Sequence, residues 1–479
     1  MKTVLLIDGD QDLRATLRGW LSADGWNVLE ADNGEIGWEL LLQHKPAVVI
    51  CDLLMPRCNG FRFCRRIHQD PNLKATKIIV SSGRAYSGDR LGARQAGADE
   101  YLVKPVKRHE LATILDRLLR PEASTFMRLW ERLKTPSNND PSKAPAAGAD
   151  AGSPPSPTGP LLPPGHPTTV KFWGVRGSIA TPGPSTLYYG GNTSCVEVRA
   201  DGEIIILDAG SGIRPLGHSL VQEFKNRPLK LTLLISHTHW DHIQGYPFFA
   251  PAYDANNSLH IRGFEGSSES LAEILSSQMK ANYFPISMQQ MPGSAVVEEL
   301  QDMEFNVGKV KVTAAFMNHP GICVGYRLTT SCGSIAFLPD NEPYQRLRGS
   351  DHTVTVSPES LAYARRQDEK LIDFIRGVDV LIIDSQYDDS EYQAHVGWGH
   401  GCLDDVVTLA LVAEAKQLFL FHHDPDHDDA QITRMVNWAR DLVALHGESL
   451  VVDAAREGVE VVLSRESAAT VSQPLQASV

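Results

Sequence analysis

The chain has 479 residues, of which 42% are hydrophobic, and it carries a formal net charge of −13. This length predicts two or three domains rather than one. The acidic balance disfavours a nucleic-acid partner bound through many phosphates, because such binding depends on Lys and Arg. The net negative charge does not exclude a small anionic substrate, since bound metal ions supply local positive charge.

Neither a membrane segment nor a secretory leader is expected. No apolar stretch reaches the roughly 18 residues that a membrane helix needs, and Asp8 and Asp10 follow directly on the apolar run 4–7. The seven cysteines form an odd set without a C-x-x-C pair, which favours a reduced compartment over a disulfide framework. We therefore expect a cytoplasmic location and no membrane partner.

Residues 1–120 alternate short apolar runs with amphipathic stretches. Strands are predicted at 3–7, 47–51 and 77–80, and helices at 13–24, 34–44 and 108–119. Such alternation is typical of an α/β domain with a doubly wound parallel sheet.

Polar residues stand where predicted strands end in this first segment. Asp52 ends an apolar run, Ser82 ends the next, and Lys104 follows in Tyr-Leu-Val-Lys-Pro. The carboxyl ends of parallel strands converge on one crevice. An aspartate there can accept a phosphoryl group when a metal ion and a lysine neutralise the charge, and a nearby hydroxyl can bond the phosphate.

On these residues, segment 1–120 resembles the receiver domain of response regulators, which has a flavodoxin-like fold. The resemblance implies that Asp52 is phosphorylated by a sensor histidine kinase in the presence of Mg²⁺. It further implies that Ser82 and Lys104 are the partners of the phosphoryl group. Tyr101 is then the aromatic residue that changes rotamer with the state of the domain.

The acidic pair that usually binds Mg²⁺ in this family is altered here. Asp8 matches the first of the two adjacent acidic residues, but Gly9 stands where the second, a direct Mg²⁺ ligand, is expected. Asp10 could take its place, or Mg²⁺ binding could be weak. Two hypotheses stay open: phosphorylation at Asp52, and a pseudo-receiver that docks partners without being phosphorylated.

The middle and the end of the chain have compositions that predict connecting segments. Residues 121–134 predict an amphipathic helix, which either packs on the preceding domain or forms a homodimer. Residues 135–167 are dominated by Pro, Ala, Gly, Ser and Asp, as in a disordered linker, and residues 465–479 predict a flexible tail. With such a linker we expect no rigid coupling between the flanking domains.

Residues 168–464 predict a second domain, an αββα sandwich in which strands are followed by helices twice over. Strands are predicted at 170–173, 194–198, 204–208, 230–236, 310–315, 325–329, 335–338, 380–384 and 417–421. Helices are predicted at 268–279, 368–376, 404–415 and 429–446.

The strongest motif is His237-Thr-His239-Trp-Asp241-His242, directly after an apolar strand. On a loop, His237 and His239 can face one metal ion, while Asp241 and His242 reach a second. Imidazole and carboxylate ligands suit Zn²⁺, with Mn²⁺ or Fe as alternatives. Two metals about 3.5–4 Å apart can activate water and hold a phosphoryl oxygen.

Further residues of metal-binding type follow later strands. His319, Asp340 and His422 each come after an apolar run, where a sandwich would gather them. His423, Asp424 and His427 crowd the last position, and His422 is favoured because it follows its strand immediately.

Residues 168–464 resemble the metallo-β-lactamase superfamily, in its phosphodiesterase and ribonuclease Z-like branch. The matching segments are Gly174-Val-Arg-Gly-Ser178, Gly190-Gly-Asn-Thr-Ser194 and Leu207-Asp-Ala-Gly210. The resemblance implies two metals. The first would be bound by His237, His239 and His319, the second by Asp241, His242 and His422, with Asp340 bridging them.

A histidine before a predicted helix suggests the proton donor. His400, in Gly-Trp-Gly-His-Gly, could protonate a leaving alkoxide, and the ribonuclease Z-like group has a histidine in this role. That group follows it with Ser-Thr or similar, whereas Gly401-Cys402 stands here. His395 is the alternative donor. Asp208 and Asp384 also end strands and are interpreted as carboxylates that orient the histidines.

The sequence therefore predicts a two-component response regulator with a dinuclear-metal hydrolase as its output. The favoured activity is a phosphodiesterase acting on a cyclic nucleotide or another small phosphodiester. A ribonuclease is disfavoured, because residues 243–318 contain no basic, Gly-rich arm for tRNA. A lactone or thioester hydrolase and a non-catalytic signalling adaptor are the remaining alternatives.

Overall fold

The computed structural model describes residues 2–119, 166–225, 227–264, 266, 269–349, 357–447, 449–464 and 467–472. The predicted helix at 121–134 and nearly all of the predicted linker lie outside these residues. None of the helices in the described ranges combines the length and the hydropathy that crossing a bilayer requires.

The N-terminal segment forms a parallel five-stranded sheet in the order β2-β1-β3-β4-β5. The strands are β1 (Thr3–Ile7), β2 (Asn27–Ala31), β3 (Val48–Asp52), β4 (Lys77–Ser82) and β5 (Glu100–Val103). The helices between them are α1 (Gln11–Ala23), α2 (Gly34–His44), α3 (Gly60–Gln69) and α4 (Ser87–Gln95), with a short 3-10 turn at Pro71–Leu73. This strand order is the flavodoxin-like one, whose topological switch point lies between β1 and β3. The predicted receiver fold is confirmed.

Local sequence explains where these elements lie. β1 and β3 bury nearly every side chain, as strands covered on both faces do. Asp10 and Asn33 are the N-caps of α1 and α2: their side chains accept hydrogen bonds from backbone N–H groups of the first helical turn. β2 was not predicted because it lacks a continuous apolar run. Most of its residues are only partly buried.

α5 (Arg108–Leu118) belongs to a second compact unit that begins at Val106. It is described by itself. Its buried residues, Leu111, Ile114 and Leu115, recur at the spacing of one helical face.

The C-terminal segment contains two mixed sheets. The first has eight strands in the order β11-β10-β9-β8-β7-β6-β19-β20, and the second has seven in the order β12-β13-β14-β15-β16-β17-β18. The first sheet consists of β6 (Thr168–Gly174), β7 (Cys195–Ala200), β8 (Glu203–Leu207), β9 (Lys230–Leu234), β10 (Ser258–Gly263), β11 (Ser294–Glu299), β19 (Glu460–Ser464) and β20 (Ser467–Ser472). The second consists of β12 (Glu304–Val307), β13 (Val310–Phe316), β14 (Val324–Thr330), β15 (Gly333–Leu338), β16 (Val380–Asp384), β17 (Gln417–Phe421) and β18 (Val451–Ala454).

Helices connect the strands of the two sheets. They are α6 (Ile213–Glu223), α7 (Trp240–Ile243), α8 (Leu271–Ser277), α9 (Tyr344–Gly349), α10 (Pro358–Ile375), α11 (Asp389–His395), α12 (Leu403–Val412) and α13 (Asp429–His446). Short 3-10 turns lie at Pro184–Thr186, Tyr246–Phe248, Ala250–Tyr253 and Met288–Gln290. α6 and α8 share one hydrophobic cluster with the first sheet, and α12 and α13 share another with the second.

A third hydrophobic cluster, which also includes core residues of the N-terminal domain, fills the space between the two sheets. Phe172 of the first sheet packs on Phe419 of the second, with ring centroids 5.1 Å apart. Helix, sheet, sheet and helix thus follow one another, and the predicted αββα sandwich is confirmed.

Most predicted boundaries shift by a few residues, and two differ by more. The segment predicted as a flexible tail contains β20, which pairs antiparallel with β19; a hairpin satisfies the backbone of this polar segment without needing an apolar side-chain pattern. α10 begins at Pro358 rather than 368, because Ser357 caps it and proline is favoured in the first turn.

The described residues up to Pro105 form one compact unit with those from His166 onward. Arg57 donates its backbone N–H to the Gln301 carbonyl, and the Arg62 guanidinium lies 3.4 Å from the Glu299 carboxylate. The linker composition, on which the expectation of no rigid coupling rested, did not indicate these contacts. Direct contacts between their surfaces hold them together.

Candidate metal centre and receiver site

The C-terminal cluster gathers residues from the ends of four strands. Three groups have ligand atoms all within 4.8 Å of one another. One comprises His237, His239, His319 and Asp340, the second comprises Asp241, His242 and His422, and the third joins Asp340 and His422 to His400. The four ligand residues of the motif, His237, His239, Asp241 and His242, follow β9, and His319, Asp340 and His422 follow β13, β15 and β17. All seven predicted metal ligands lie in this cluster.

Asp340 lies between the first two groups. Its Oδ2 is 3.7 Å from His237 Nε2 and 3.6 Å from His319 Nε2. Its Oδ1 is 3.2 Å from His242 Nε2 and 3.4 Å from His422 Nε2. Each oxygen thus faces a different pair of imidazoles, as a carboxylate that bridges two metal ions would.

Asp241 lies on the side of the second group. Its Oδ2 is 3.1 Å from Nε2 of both His242 and His422. The same oxygen accepts a hydrogen bond from the Ser178 backbone N–H at 2.8 Å. The segment from Gly174 to Ser178 therefore contributes to the cluster by holding this carboxylate.

Polar groups behind the cluster determine how three of the rings point. His242 Nδ1 lies 2.7 Å from Asp208 Oδ2, and His319 Nδ1 lies 2.9 Å from the Gly399 carbonyl. His422 Nδ1 lies 3.0 Å from Gln386 Oε1. In each ring the second nitrogen, Nε2, is left to face the cluster, which is the usual arrangement of metal-binding histidines.

The predicted orienting role of Asp208 agrees with this geometry, but Gln386 was missed. Gln386 follows Asp384 by two residues, and its amide also donates to Asp424 at 2.8 Å. Only its place just beyond a strand that ends in an acidic residue could have drawn attention to it.

Two residues of the site adopt left-handed backbone conformations that non-glycine residues rarely take. Asp208 has a φ of 62° and His422 a φ of 61°. Such conformations cost free energy and persist where surrounding contacts enforce them, often at functional sites. Asp208 is held by the hydroxyls of Ser194 and Ser236 as well as by His242.

The donor set fits divalent metal ions. His237 Nε2, His242 Nε2 and Asp340 Oδ1 are buried and take no hydrogen bond from any described residue. Buried polar atoms are otherwise almost always satisfied, so atoms that converge without hydrogen bonds indicate a place for a cation. Nitrogen and carboxylate oxygen ligands suit Zn²⁺, Mn²⁺ or Fe.

Protonation states in the cluster also suit metal binding. Burial lowers the pKa of His237 and of His319 well below the usual range. Burial alone would raise the pKa of Asp340, but the surrounding histidines hold it well below its usual range. Metal ligands have to be neutral imidazoles and ionised carboxylates, which is the state that these shifts favour at His237, His319 and Asp340. At His242 burial acts in the same direction, but Asp241 and the other carboxylates around it outweigh burial and raise its pKa well above the usual range.

His400 lies beside this cluster, with Asp340 and His422 as neighbours. Its Nδ1 is 3.0 Å from Asp384 Oδ2. Burial would lower the pKa of His400, but Asp384 outweighs it and raises that pKa to about 9. The carboxylate engages Nδ1 and favours a protonated ring, so Nε2 is the nitrogen that Asp384 does not engage.

The alternative histidines lie elsewhere. His395 stacks on Tyr387, with centroids 4.3 Å apart, and its Nδ1 lies 2.7 Å from the Glu391 carbonyl. His423 Nε2 lies 2.9 Å from the Ala455 carbonyl, and burial lowers its pKa to about 3. Neither belongs to a metal-capable group among the described residues.

The predicted receiver residues also meet. Lys104 Nζ lies 2.7 Å from Asp8 Oδ2 and 3.1 Å from Asp52 Oδ1. Burial raises the pKa of Asp52 to about 6, although Lys104 acts against the rise. Asp10 caps α1 with its Oδ1, which accepts from two backbone N–H groups, so this oxygen is already engaged.

Ser82 and Tyr101 lie on either side of Arg84. The Arg84 N–H donates to Ser82 Oγ at 3.2 Å, and the buried Tyr101 hydroxyl donates to the Arg84 carbonyl at 3.0 Å. Next to Asp52 there is a cavity of about 280 Å³ with residues of both domains in its wall, including Asn318 and Asn341. These two asparagines are the chain neighbours of His319 and Asp340.

Two family models match the chain. One, described as a response regulator receiver domain, matches residues 4–116. The other, described as a beta-lactamase superfamily domain, matches residues 204–423.

Known proteins are similar to one part of the chain or the other. Response regulator Rre1 of Synechocystis sp. is 32% identical over 125 residues, which are 26% of this chain and 54% of Rre1. Protein PilH of Pseudomonas aeruginosa is 32% identical over 119 residues, which are 25% of this chain and 98% of PilH. The chain thus spans about half of Rre1 and nearly all of PilH. The metallo-beta-lactamase fold protein YhfI from Bacillus subtilis is 16% identical, with a TM-score of 0.43, over 62% of this chain and 99% of YhfI.

Proposed function

Since the chain belongs to the response regulator receiver family over residues 4–116 and continues into a beta-lactamase superfamily domain, we propose that it is a response regulator whose output is a metal-dependent phosphodiesterase. A sensor histidine kinase would be the phosphodonor for Asp52. Lys104, which lies against both Asp8 and Asp52, supports this role because it can neutralise a transferred phosphoryl group.

The observation that carries the proposal is that the two carboxylate oxygens of Asp340 face two different pairs of imidazoles. Two divalent metals held there would supply Lewis acidity toward a phosphoryl oxygen and would activate water. His237, His239 and His319 would hold one, Asp241, His242 and His422 the other, and Asp340 both.

His400 directs the proposal toward phosphodiesters. When water attacks phosphorus and the bond to the ester oxygen breaks, the leaving alkoxide needs a proton. His400 Nε2 can donate it, because Asp384 holds the opposite nitrogen. Asp241 acts in this scheme as a metal ligand, with Ser178 fixing its position.

Exposed indoles support a substrate that contains an aromatic base. Trp240 is 78% exposed and stands between two proposed ligands in sequence, and Trp398, 59% exposed, precedes His400 by two residues. Indole faces stack well on nucleobases. The favoured substrate is a cyclic nucleotide or another small phosphodiester, and the net charge of −13 does not favour a long RNA.

A metal count and a substrate panel test the proposal. Full-length protein reconstituted with Zn²⁺ or Mn²⁺ would be assayed with bis(4-nitrophenyl) phosphate, cyclic AMP, cyclic GMP, a short RNA, a lactone and a thioester. We expect about two metals per chain and cleavage of a small phosphodiester. The Asp340→Asn variant should lose roughly 100-fold or more in rate.

Other outcomes of the same panel would change the proposal. About one metal or fewer per chain, or no phosphodiester cleavage with either metal, would contradict it. Faster hydrolysis of the lactone or the thioester than of every phosphodiester would reassign the chemistry.

A further inference from the structure

Arg84 of the receiver domain extends into the C-terminal domain. It follows β4, and its side chain is 0% exposed. Nη1 donates to the His319 carbonyl at 2.5 Å, and Nη2 donates to the Gly321 carbonyl at 2.7 Å. The receiver domain thus holds the backbone of a proposed metal ligand directly.

Asp89 completes this contact from the first residues of α4. Its Oδ2 lies 2.9 Å from Arg84 Nε, and its Oδ1 accepts from the Gly321 N–H at 2.9 Å. A buried ion pair is costly unless its remaining donors and acceptors are satisfied. Here the satisfying groups are the backbone of residues 319–321, so the pair and this loop fix one another.

Tyr86 makes a second connection, to Glu342. The Tyr86 hydroxyl lies 3.2 Å from the Asn318 carbonyl and 3.1 Å from Glu342 Oε2. Glu342 is fully buried and also accepts from the N–H groups of Gly397 and Gly399, at 2.8 and 2.9 Å. This carboxylate therefore fixes the loop that ends in His400.

The two loops are joined to one another and to the receiver site. His319 Nδ1 lies 2.9 Å from the Gly399 carbonyl, which ties the ligand loop to the His400 loop. On its other side, Arg84 bonds through its backbone to Ser82 and Tyr101. Arg84 thus lies on a continuous path of hydrogen bonds between the two sites.

We propose that Arg84 and Tyr86 are positioning residues of the metal centre, so that the receiver domain is a structural part of the output site. Arg84 fixes the backbone of His319. Tyr86 acts through Glu342 on the loop that carries His400. The effect on turnover rests on the proposed function, whereas the effect on metal binding does not.

Two variants test this in the full-length chain. Tyr86→Phe removes one hydroxyl from Glu342 and Asn318. The double variant Arg84→Met with Asp89→Leu removes the ion pair and its hydrogen bonds to the backbone of residues 319–321. It leaves no unpaired buried charge, and such replacements of buried ion pairs often preserve folding. Matched controls are Tyr253→Phe, whose hydroxyl bonds only locally to Pro247, and Arg57→Ala, which breaks an exposed ion pair between the same two domains.

The readouts are metal affinity, by competition with a chromogenic chelator, and the separate values of kcat and KM. We expect the double variant to bind metal roughly 10–100-fold more weakly. We expect Tyr86→Phe to bind metal nearly as wild type but to lose roughly tenfold in kcat, with KM little changed, because His400 is displaced. Both controls should match wild type.

Two results would overturn this proposal. Metal affinity of the double variant within about twofold of wild type, in a folded protein, would overturn the role of Arg84, whatever the enzyme hydrolyses. Unchanged kcat in Tyr86→Phe would overturn the role of Tyr86. If wild type hydrolyses no phosphodiester but the double variant still loses metal, the proposed function fails while the positioning of His319 by Arg84 stands.

Discussion

At the scale of single residues, a hydrogen bond to one ring nitrogen of each histidine determines which nitrogen is left for a metal or a substrate. Asp208, Gln386 and the Gly399 carbonyl engage Nδ1 of three proposed ligands, so that Nε2 faces the metal positions. Asp384 engages Nδ1 of His400 in the same way, and His400 also neighbours Asp340 and His422. In the proposed mechanism His400 differs from the three ligands by giving a proton to the leaving oxygen instead of binding a metal.

Replacing His400 tests its role through the leaving group. In His400→Ala, we expect kcat for a diester with an alkoxide leaving group to fall roughly 100-fold or more, because that oxygen needs a proton. For bis(4-nitrophenyl) phosphate, whose leaving group is stable without one, the loss should be within about tenfold. Steady-state kinetics on the two substrates, with metal content measured in parallel, check this.

His395→Ala is the matched control for that experiment. Because His395 stacks on Tyr387 outside the cluster, we expect its kcat to change by no more than about threefold on either substrate. An equal loss on both substrates in His400→Ala, or a larger loss in His395→Ala, would contradict the assignment of the donor.

Gly9 offers a test of the receiver site. A Cβ placed at this position would meet only the Asp32 carbonyl, at 4.0 Å, so a side chain fits. Gly9→Asp adds a carboxylate beside Asp8, and we expect Mg²⁺ affinity to rise roughly tenfold or more. Gly9→Asn, with the same shape and no charge, should stay near wild type, as measured by isothermal titration. Equal affinities in both variants would show that the missing carboxylate does not limit Mg²⁺ binding.

The proposed ligands could be predicted from sequence because each follows an apolar strand and has a side chain of metal-binding type. Gln386, Glu342 and Arg84 could not be predicted in the same way. Their partners lie in other elements, and Arg84 reaches a carbonyl of His319, 235 positions away. An amide, a lone glutamate and a lone arginine have no local pattern that distinguishes them from surface residues.

At the scale of secondary-structure elements, the loop between α11 and α12 sets the position of His400. Gly401 packs against the end of β16, where an added Cβ would lie 2.2 Å from the Asp384 carbonyl. The residues Gly401-Cys402, which depart from the Ser-Thr of the related group, thus suit a close approach of two backbones. Glycine is required here by packing rather than by a left-handed φ.

Gly401→Ala should displace His400 more than the metal ligands, because Gly401 is the chain neighbour of His400 whereas the loop meets the ligand His319 at the Gly399 carbonyl. We expect kcat to fall roughly tenfold or more, because misplacing a catalytic group by about 1 Å can cost 100-fold. Metal content should stay unchanged. Gly19→Ala in α1, where nothing lies within 4 Å of the added Cβ, is the matched control and should leave kcat unaltered. Full activity in Gly401→Ala would show that the close approach does not position His400.

Strongly apolar elements were the ones that sequence predicted well. β16 and β17 bury all of their residues and were placed at their observed bounds. β2 and β5 were not predicted, since one is half-exposed and the other has only four residues. β20 was missed because strand pairing depends on backbone hydrogen bonds, which composition does not reveal.

At the scale of the whole molecule, the receiver and the output domain share buried polar contacts and one cavity wall. The sequence predicted both domains but not their contact, because a linker's composition says nothing about the surfaces at its ends. Since Asp52 opens into a cavity that Asn318 and Asn341 also line, a phosphoryl group there would lie close to the loops that carry His319 and Asp340.

Phosphorylation of Asp52 should therefore change both the mass of the chain and the rate at which the C-terminal domain hydrolyses its substrate. Incubation with acetyl phosphate and Mg²⁺ should add one phosphoryl group to wild type and none to Asp52→Ala, as read by intact mass. The phosphorylated protein should hydrolyse phosphodiesters at a rate that differs by about fivefold or more, the lower range of typical coupling between sites. An equal mass shift in Asp52→Ala would refute the phosphoacceptor, and an unchanged rate would refute the coupling.

The proposed activity requires two metals, held on either side of Asp340, that would together activate water toward a phosphodiester. The direct measurement titrates Zn²⁺ or Mn²⁺ into metal-free, full-length protein while hydrolysis of bis(4-nitrophenyl) phosphate is followed. Activity should be low without metal, should rise to a plateau at about two equivalents per chain, and should stay near baseline throughout the same titration of Asp340→Asn. A plateau at one equivalent, activity without metal, or equal rates in Asp340→Asn would contradict this account.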